Sequence, residues 1–229
     1  MTTSNALAIQ AFIGMIEQQC VAHAQPFGLC ELLFCIRDIP YGRPASPRDP
    51  ISVLTDWRGT CSGKHLLAQA SLAAMGLHST LYCLPYRLDD ALDTLPREVV
   101  SEYAGHGLWD VHNYLEVNAA QGAIKVDVTW SRKLSTFGFP TTLAWDGIED
   151  FRIAAPPGEA ISVPNDADLA TIKDQLLARL NPPSARALRE RYIEALSAFA
   201  LRLSSEEGQF SGIEATLAEI RQRRASRTE

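Results

Sequence analysis

At 229 residues the chain fits one domain, or one domain with an extension, and is long enough to bury a substantial core. Its 46% hydrophobic and 21% charged residues are ordinary for a globular protein, and a net charge of −6 argues against a nucleic-acid or anionic-membrane partner. No apolar run approaches the roughly 18 residues that a membrane helix needs, so no membrane partner is expected.

The N-terminus, Met1-Thr2-Thr3-Ser4-Asn5, lacks the basic region of a secretory signal. Five cysteines (20, 30, 35, 61 and 83) form an odd set without framework spacing, which reads as a reduced, cytoplasmic protein. No C-x-x-C pair or histidine cluster completes a tetrahedral site, so neither a metal nor any other cofactor is expected.

Ser4 or Asn5 is placed to cap a first helix, with Ile9, Phe12, Ile13, Ile16 and Cys20 on one face, and Pro26 and Gly28 end it. Leu29 to Arg37 reads as a short buried helix. Pro40 to Trp57, with Pro44, Pro47 and Pro50 inside it, reads as irregular chain that leads to Cys61. Together with Tyr41 it is a candidate wall for a cleft. After Cys61, residues Leu66, Leu67, Ala70, Ala73 and Ala74 recur at helical spacing, and Gly76 supplies a stop. Cys61 therefore sits at a helix start, where the dipole and unpaired N–H groups favour a thiolate.

His78 to Leu84 reads as a strand, and Pro85 to Asp110 as a long connection in which Pro96 can open a short helix. Segments 111–118 and 123–130 read as a hairpin. With its turn at Ala120-Gln121, Asp127 faces Tyr114 and lies diagonal to His112 on one polar face. Downstream, Asn165 or Asp166 caps a helix that ends at Leu180 before Asn181-Pro182-Pro183. A longer helix carries Leu188, Tyr192, Ala195, Leu196, Phe199 and Leu203. A last helix carries Ile213, Leu217 and Ile220 ahead of the basic run from Arg221 to Arg227.

A thiol at a helix start, an imidazole and a carboxylate in these settings are the parts of a nucleophilic triad: Cys61, His112 and Asp127. Asp is depleted in strands, which points Asp127 towards a bonded role. Rivals for the base are His65, four residues past Cys61 on the helix, and His106, His78 and His23. Asp110 and Glu116 read as solvated or substrate-facing acids. Trp57, Trp109 and Trp130 flank the three elements and either pack the core or line a groove. Trp57, Trp109 and Tyr114 are the candidate substrate-binding residues.

The order Cys, His, Asp, with Cys61 opening a helix and the others on neighbouring strands, resembles the transglutaminase-like cysteine enzymes from about Glu31 to Trp130. Leu33-Phe34-Cys35-Ile36-Arg37-Asp38-Ile39-Pro40-Tyr41 is similar to the upstream helix and its aromatic exit. Gly59-Thr60-Cys61 with Leu72-Ala73-Ala74-Met75-Gly76-Leu77 is similar to the nucleophile helix. Asp110-Val111-His112-Asn113-Tyr114 and Val126-Asp127-Val128-Thr129-Trp130 are similar to the histidine and aspartate strands. Ser62 stands where an aromatic often follows the nucleophile, and residues 150 to 229 lie outside the resemblance.

The resemblance implies an α+β fold with a papain-like or transglutaminase-like core, its nucleophile at a helix N-terminus packed on an antiparallel sheet. Residues 1–150 would form that core, and 151–229 a mostly helical extension packed on it. His112 would take the Cys61 proton and Asp127 would orient the imidazole. The thiolate would attack a peptide, amide or thioester substrate and leave an acyl-enzyme for water or an amine to resolve. The Cys61 N–H would be one oxyanion donor, with Trp57 the candidate for a second. Arg58-Gly59-Thr60-Cys61 is also similar to the arylamine N-acetyltransferases, with Thr60 in place of their second glycine. The contrasting expectation is a non-catalytic binding module on the same fold, whose mark would be loss of a triad residue.

Overall fold

Ile9, Phe12, Ile16 and Cys20 lie buried along one side of α1 (Thr3–Ala22), as their spacing requires. In the computed structural model, which describes residues 2–119, 122–204 and 208–226, the cap of this helix is Thr2 rather than Ser4 or Asn5. The Thr2 hydroxyl accepts the Asn5 N–H, which puts Ser4 and Asn5 inside the first turn. The short helix α2 (Leu29–Asp38) is buried almost throughout.

The stretch from Pro40 to Trp57 is not wholly irregular. It contains α3 (Pro50–Asp56), because Pro50 falls at the first helical position, where its missing N–H costs nothing, and Asp49 accepts the Ile51 N–H. Trp57 then ends α3 in the left-handed region at φ 46°. Helix α4 (Cys61–Ala74) begins at Cys61 and buries Leu67, Ala68 and Leu72.

Strand β1 (Ser79–Arg87) runs three residues beyond the expected Leu84, through Pro85. It tolerates the proline because β4 (Ile161–Val163) pairs with it only at Leu81 to Cys83, so Pro85 lies on an open edge. A 3₁₀ turn (Leu88–Asp93) and α5 (Arg97–Val100), opened by Pro96, lead to β2 (Trp109–Ala119). The described residues form a four-stranded antiparallel sheet in the order β3-β2-β1-β4, with β3 spanning Gly122–Val126. Its register pairs Leu115 with Val126 and Ala119 with Gly122, the register expected for the hairpin. The turn residues Ala120 and Gln121 lie outside the described residues.

The second hairpin strand stops at Val126, short of the expected 130, because the following N–H groups are taken by side chains. Asp127 accepts the Thr129 N–H at 3.0 Å, and His65 Nε2 accepts the Val128 N–H at 3.1 Å. A short helix, α6 (Arg132–Ser135), follows.

Helix α7 (Leu169–Leu180) starts after Asp168, whose carboxylate accepts the Ala170 and Thr171 N–H groups. The cap is thus two or three residues later than Asn165 or Asp166. Helices α8 (Pro183–Leu203) and α9 (Gln209–Ala225) complete the chain. Arg227, the end of the expected basic run, lies outside the described residues.

One core joins α1, α2 and α4 to Leu81, Val111, Leu115, Val117 and Val126 of the sheet, with Ile213, Leu217 and Ile220 of α9 closing it. A second gathers Tyr41, Tyr86, Tyr114, Trp130 and Phe139 around Tyr192, Leu196 and Ala200 of α8. The fold is therefore α+β, and no helix of the described residues is long and apolar enough to cross a membrane.

Candidate active site

Cys61 opens α4 behind Thr60, whose side chain makes no capping bond. Two glycines let the chain close around this helix start. A Cβ on Gly59 would lie 2.7 Å from Lys64 Cγ, and one on Gly63 would lie 2.7 Å from Val53 and 2.9 Å from the Pro47 carbonyl. The loop before α3 thus presses onto the first turn of α4. Lys64, fully buried, ties the same region together: its ammonium donates to the carbonyls of Arg37, Ile39 and Thr129 at 2.7 to 2.9 Å. Burial draws it down to about 7.

The structure brings Cys61, His112 and Asp127 together. His112 Nε2 lies 2.7 Å from Asp127 Oδ2, and both side chains are nearly inaccessible to solvent. The other ring nitrogen, Nδ1, is left for the Cys61 thiol. Asp127 is held from two further directions, since Oδ2 also accepts the Ala154 N–H at 2.8 Å and Oδ1 the Thr129 N–H. Burial opposes its charge, but His112 outweighs this and keeps the carboxyl well below the ordinary range. Burial likewise disfavours the imidazolium, yet Asp127 and Cys61 raise His112 to about 10. Burial pushes the Cys61 thiol up, while Lys173 and then His112 outweigh it and bring the thiol down to about 7.

His65, the main rival base, is fully buried and has a structural task. Nε2 accepts the Val128 N–H, so the ring proton sits on Nδ1, which donates to the Cys61 carbonyl at 2.7 Å. Burial pushes it down to about 4, so it stays neutral near pH 7. It fixes the segment after Asp127 to the nucleophile helix.

Beside Cys61 opens a cleft of about 680 Å³, a size suited to small ligands. Tyr41 and the loop from Arg43 to Asp49 form one wall, as the proline-rich stretch suggested. Helices α7 and α8 supply the other wall through Lys173, Asp174, Arg189 and Ile193. Its ionic groups are largely paired: Arg43 with Glu190, Arg48 with Asp174, and Arg189 with Asp110.

Trp57, Trp109 and Tyr114 do not line this cleft. The Trp57 ring packs between Phe12 and Gly212, because the left-handed turn at its backbone sends it towards α1 and α9. It is therefore not placed to serve as an oxyanion donor. Tyr114 stacks on Tyr82, its partner in register, with ring centroids 5.1 Å apart. The backbone of Trp109 exchanges hydrogen bonds with the side chain of Asn181, which docks the end of α7 against the start of β2.

Asp110 is not a solvated acid. It is buried and held by Arg189 Nε and Nη2 at 3.0 and 2.6 Å. Arg189 and Lys173 overcome its burial and keep its carboxyl below the ordinary range. Glu116 stands opposite Lys125 in the hairpin, away from the cleft.

Two groups escaped sequence reasoning altogether. Lys173 reaches from α7 to within 3.7 Å of Cys61 Sγ, and Asn113 accepts from both Ser62 and Lys173. The only sequence signal for Lys173 is a charge at a position of α7 that the apolar pattern assigns to the interior. Among the described residues no cluster of three or more His, Cys, Asp or Glu side chains is arranged to hold a metal ion. Comparisons of the chain with protein-family models, with curated proteins and with solved structures each found no match.

Proposed function

We propose that this protein is a transglutaminase-like cysteine enzyme that cleaves or transfers an acyl group from an amide or thioester through a Cys61 acyl-enzyme. The observation that carries the reading is the pairing of His112 with Asp127 at 2.7 Å beside a thiol lowered to about 7. A helix-start nucleophile packed on an antiparallel sheet suits the papain-like core of such enzymes. An odd set of five cysteines without framework spacing suits a reducing, cytoplasmic setting.

In this reading Asp127 fixes the imidazole with Nε2 towards itself and Nδ1 towards sulfur. The resting pair is thiolate and imidazolium. Attack by Sγ forms the S–C bond while the carbonyl π pair moves onto oxygen, facing the Cys61 N–H at the start of α4. Collapse restores the carbonyl, and the leaving amine or thiol departs with the bonding pair and the proton from His112. Water or an amine then attacks the thioester, giving its proton to His112, and the S–C bond breaks with its electron pair returning to Cys61, which restores thiolate and imidazolium.

The reading is tested by intact-mass trapping of an acyl-enzyme against a panel of amides, peptides and thioesters, with and without added amines. Acyl adducts on wild type and none on Cys61→Ala are expected. A panel that labels both proteins equally would sink the assignment of Cys61.

A further inference from the structure

The strongest feature outside the Cys–His–Asp arrangement is the ammonium of Lys173. It is 4% exposed, and its Nζ has three partners in hydrogen-bond reach: Ser62 Oγ at 2.9 Å, Asn113 Oδ1 at 3.0 Å and Cys61 Sγ at 3.7 Å. Three partners match the three donors of an ammonium. The first two are neutral. Ser62 itself donates to Asn113 Oδ1 at 2.8 Å, so both oxygens are locked in place as acceptors for the lysine. No carboxylate is among these partners.

A buried charge without a counter-charge is costly, so the anion that balances Lys173 must be sought nearby. The neighbouring acids Asp110 and Asp174 feel the Lys173 charge through space, but each takes its hydrogen bonds from another group. Asp174, next along α7, is held by both Nη atoms of Arg48; Asp110 of β2 is held by Arg189 of α8; Asp127 is held by His112. What remains at hydrogen-bond distance is the sulfur of Cys61.

We propose that Lys173 is a fourth catalytic residue, the counter-cation of the Cys61 thiolate in the resting enzyme and of the oxyanion that attack on a carbonyl creates. The second role rests on the acyl-transfer reading above; the first does not. His112 and Asp127 neutralise each other, and Lys173 and the thiolate form a second neutral pair. When Sγ attacks, one electron pair becomes the S–C bond and the carbonyl π pair moves to oxygen, so the negative charge shifts from sulfur to an oxygen two bonds away. The ammonium is anchored and does not follow, but the oxygen arrives on the cleft side, which Lys173 also lines. No proton leaves Lys173 at any step. The Cys61 N–H and the Lys173 ammonium thereby make a two-donor oxyanion site, one donor from the start of α4 and one from α7.

The experiment reads the two roles separately. Other charged or titratable groups facing Cys61 are His112 and Asp110 on β2, Cys83 and Tyr86 on β1, Tyr192 on α8, Tyr41 in the loop, and His65 and Lys64 on α4 itself. All are kept intact. The rate of Cys61 alkylation by iodoacetamide is measured against pH by intact mass for wild type, Lys173→Met and Lys173→Arg, with melting curves for each. The wild-type midpoint is expected near pH 7. Lys173→Met should move it up by at least one unit, slowing alkylation at pH 7 by about fivefold or more, and Lys173→Arg should reverse most of that shift.

Acylation by p-nitrophenyl acetate is then compared with alkylation at pH 9. Only acylation develops an oxyanion, so the ratio of the two rates should fall by roughly tenfold or more in Lys173→Met. If Lys173→Met does not fold, Lys173→Gln keeps a donor without the charge and carries the same test.

An unmoved alkylation midpoint in folded Lys173→Met or Lys173→Gln overturns the counter-ion role. A moved midpoint with an unchanged ratio overturns the oxyanion role. A hydroxylamine-stable acetyl group on Lys173 overturns both by making it an acyl acceptor. Failure of wild type to acylate at all, with fast alkylation and the midpoint shift intact, defeats the acyl-transfer reading and the oxyanion role while upholding the counter-ion.

Discussion

Asp127 accepts three hydrogen bonds through two oxygens, from His112, Ala154 and Thr129. An asparagine there has one oxygen, so its amide N–H₂ must confront at least one of these donors. Asp127→Asn should lower turnover of any confirmed acyl substrate by roughly 10⁴-fold, as loss of an orienting carboxylate does in a Ser-His-Asp triad. It should also cost about 1–3 kcal/mol of folding stability, because a buried N–H loses its acceptor. Urea unfolding followed beside the kinetics checks both. Unchanged stability would mean that the Thr129 and Ala154 bonds contribute little. The two buried histidines separate in the same way. His112→Ala should abolish fast alkylation of Cys61, whereas His65→Ala should chiefly destabilise the fold by orphaning the Val128 N–H. A collapse of alkylation in His65→Ala alone would reverse these roles.

The pH dependence follows from the same residues. Cys61 is lowered to about 7 and His112 raised to about 10, so thiolate and imidazolium coexist between those values. The stability that His112 gains from Asp127 is fully present below about 6.5, the unfolded value, and is lost as pH rises through about 10. The contribution from Cys61 has the opposite sense, present above about 8.5 and lost as pH falls through about 7. The urea midpoints of wild type and His112→Ala should therefore differ most at neutral and mildly acidic pH and converge above pH 10. A constant gap across that range would assign the His112 contribution to packing rather than charge.

At the scale of elements, the hairpin illustrates how far pattern reaches. Alternation of Ile124 and Val126 with Lys125, set against Leu115 and Val117, defines both strand identity and register, since a slip by one residue would bury the polar face. The end of β3 was not legible, because its N–H groups turn to Asp127 and to His65, a residue far away in the chain. Helix α3 was hidden for a simpler reason: the prolines around it suggested disruption, although Pro50 sits where a helix accepts one. The close approach of this loop to α4 is the feature most exposed to mutation. Gly63→Ala would set a methyl 2.9 Å from the Pro47 carbonyl, a backbone atom that cannot swing aside. About 1–3 kcal/mol of destabilisation is expected, together with displacement of the Arg43–Asp49 wall. A melting curve checks the first, and iodoacetamide access to Cys61 the second. Wild-type values for both would show that the loop yields freely.

Across the whole molecule, residues beyond 150 enter both the sheet and the cleft. Strand β4 pairs with β1, Lys173 and Arg189 reach the site, and α9 is fixed to α2 through Thr216 to Asp38 and Arg224 to Glu31. A fragment ending at residue 150 would leave Asp110 buried without Arg189, and would expose the apolar residues that Ile213, Leu217 and Ile220 cover. It should lack cooperative unfolding and show no selectively reactive cysteine. A cooperative melt and a fast-reacting Cys61 in that fragment would make the C-terminal region an accessory.

The sequence by itself determined the helix start at Cys61, the hairpin and its register, and the amphipathic faces of α1, α8 and α9. Each is set by residues within a few positions of one another, where period and capping act. Only the tertiary structure decided that His65 is a neutral brace, that Asp110 is bound by Arg189, that Trp57 faces α1 and α9, and that Lys173 stands at the sulfur. Those outcomes depend on partners 45 to 155 residues apart in the chain. A charged side chain carries no local mark of the buried partner it will meet, because the pairing is fixed by how the helices dock and not by the residues that flank it.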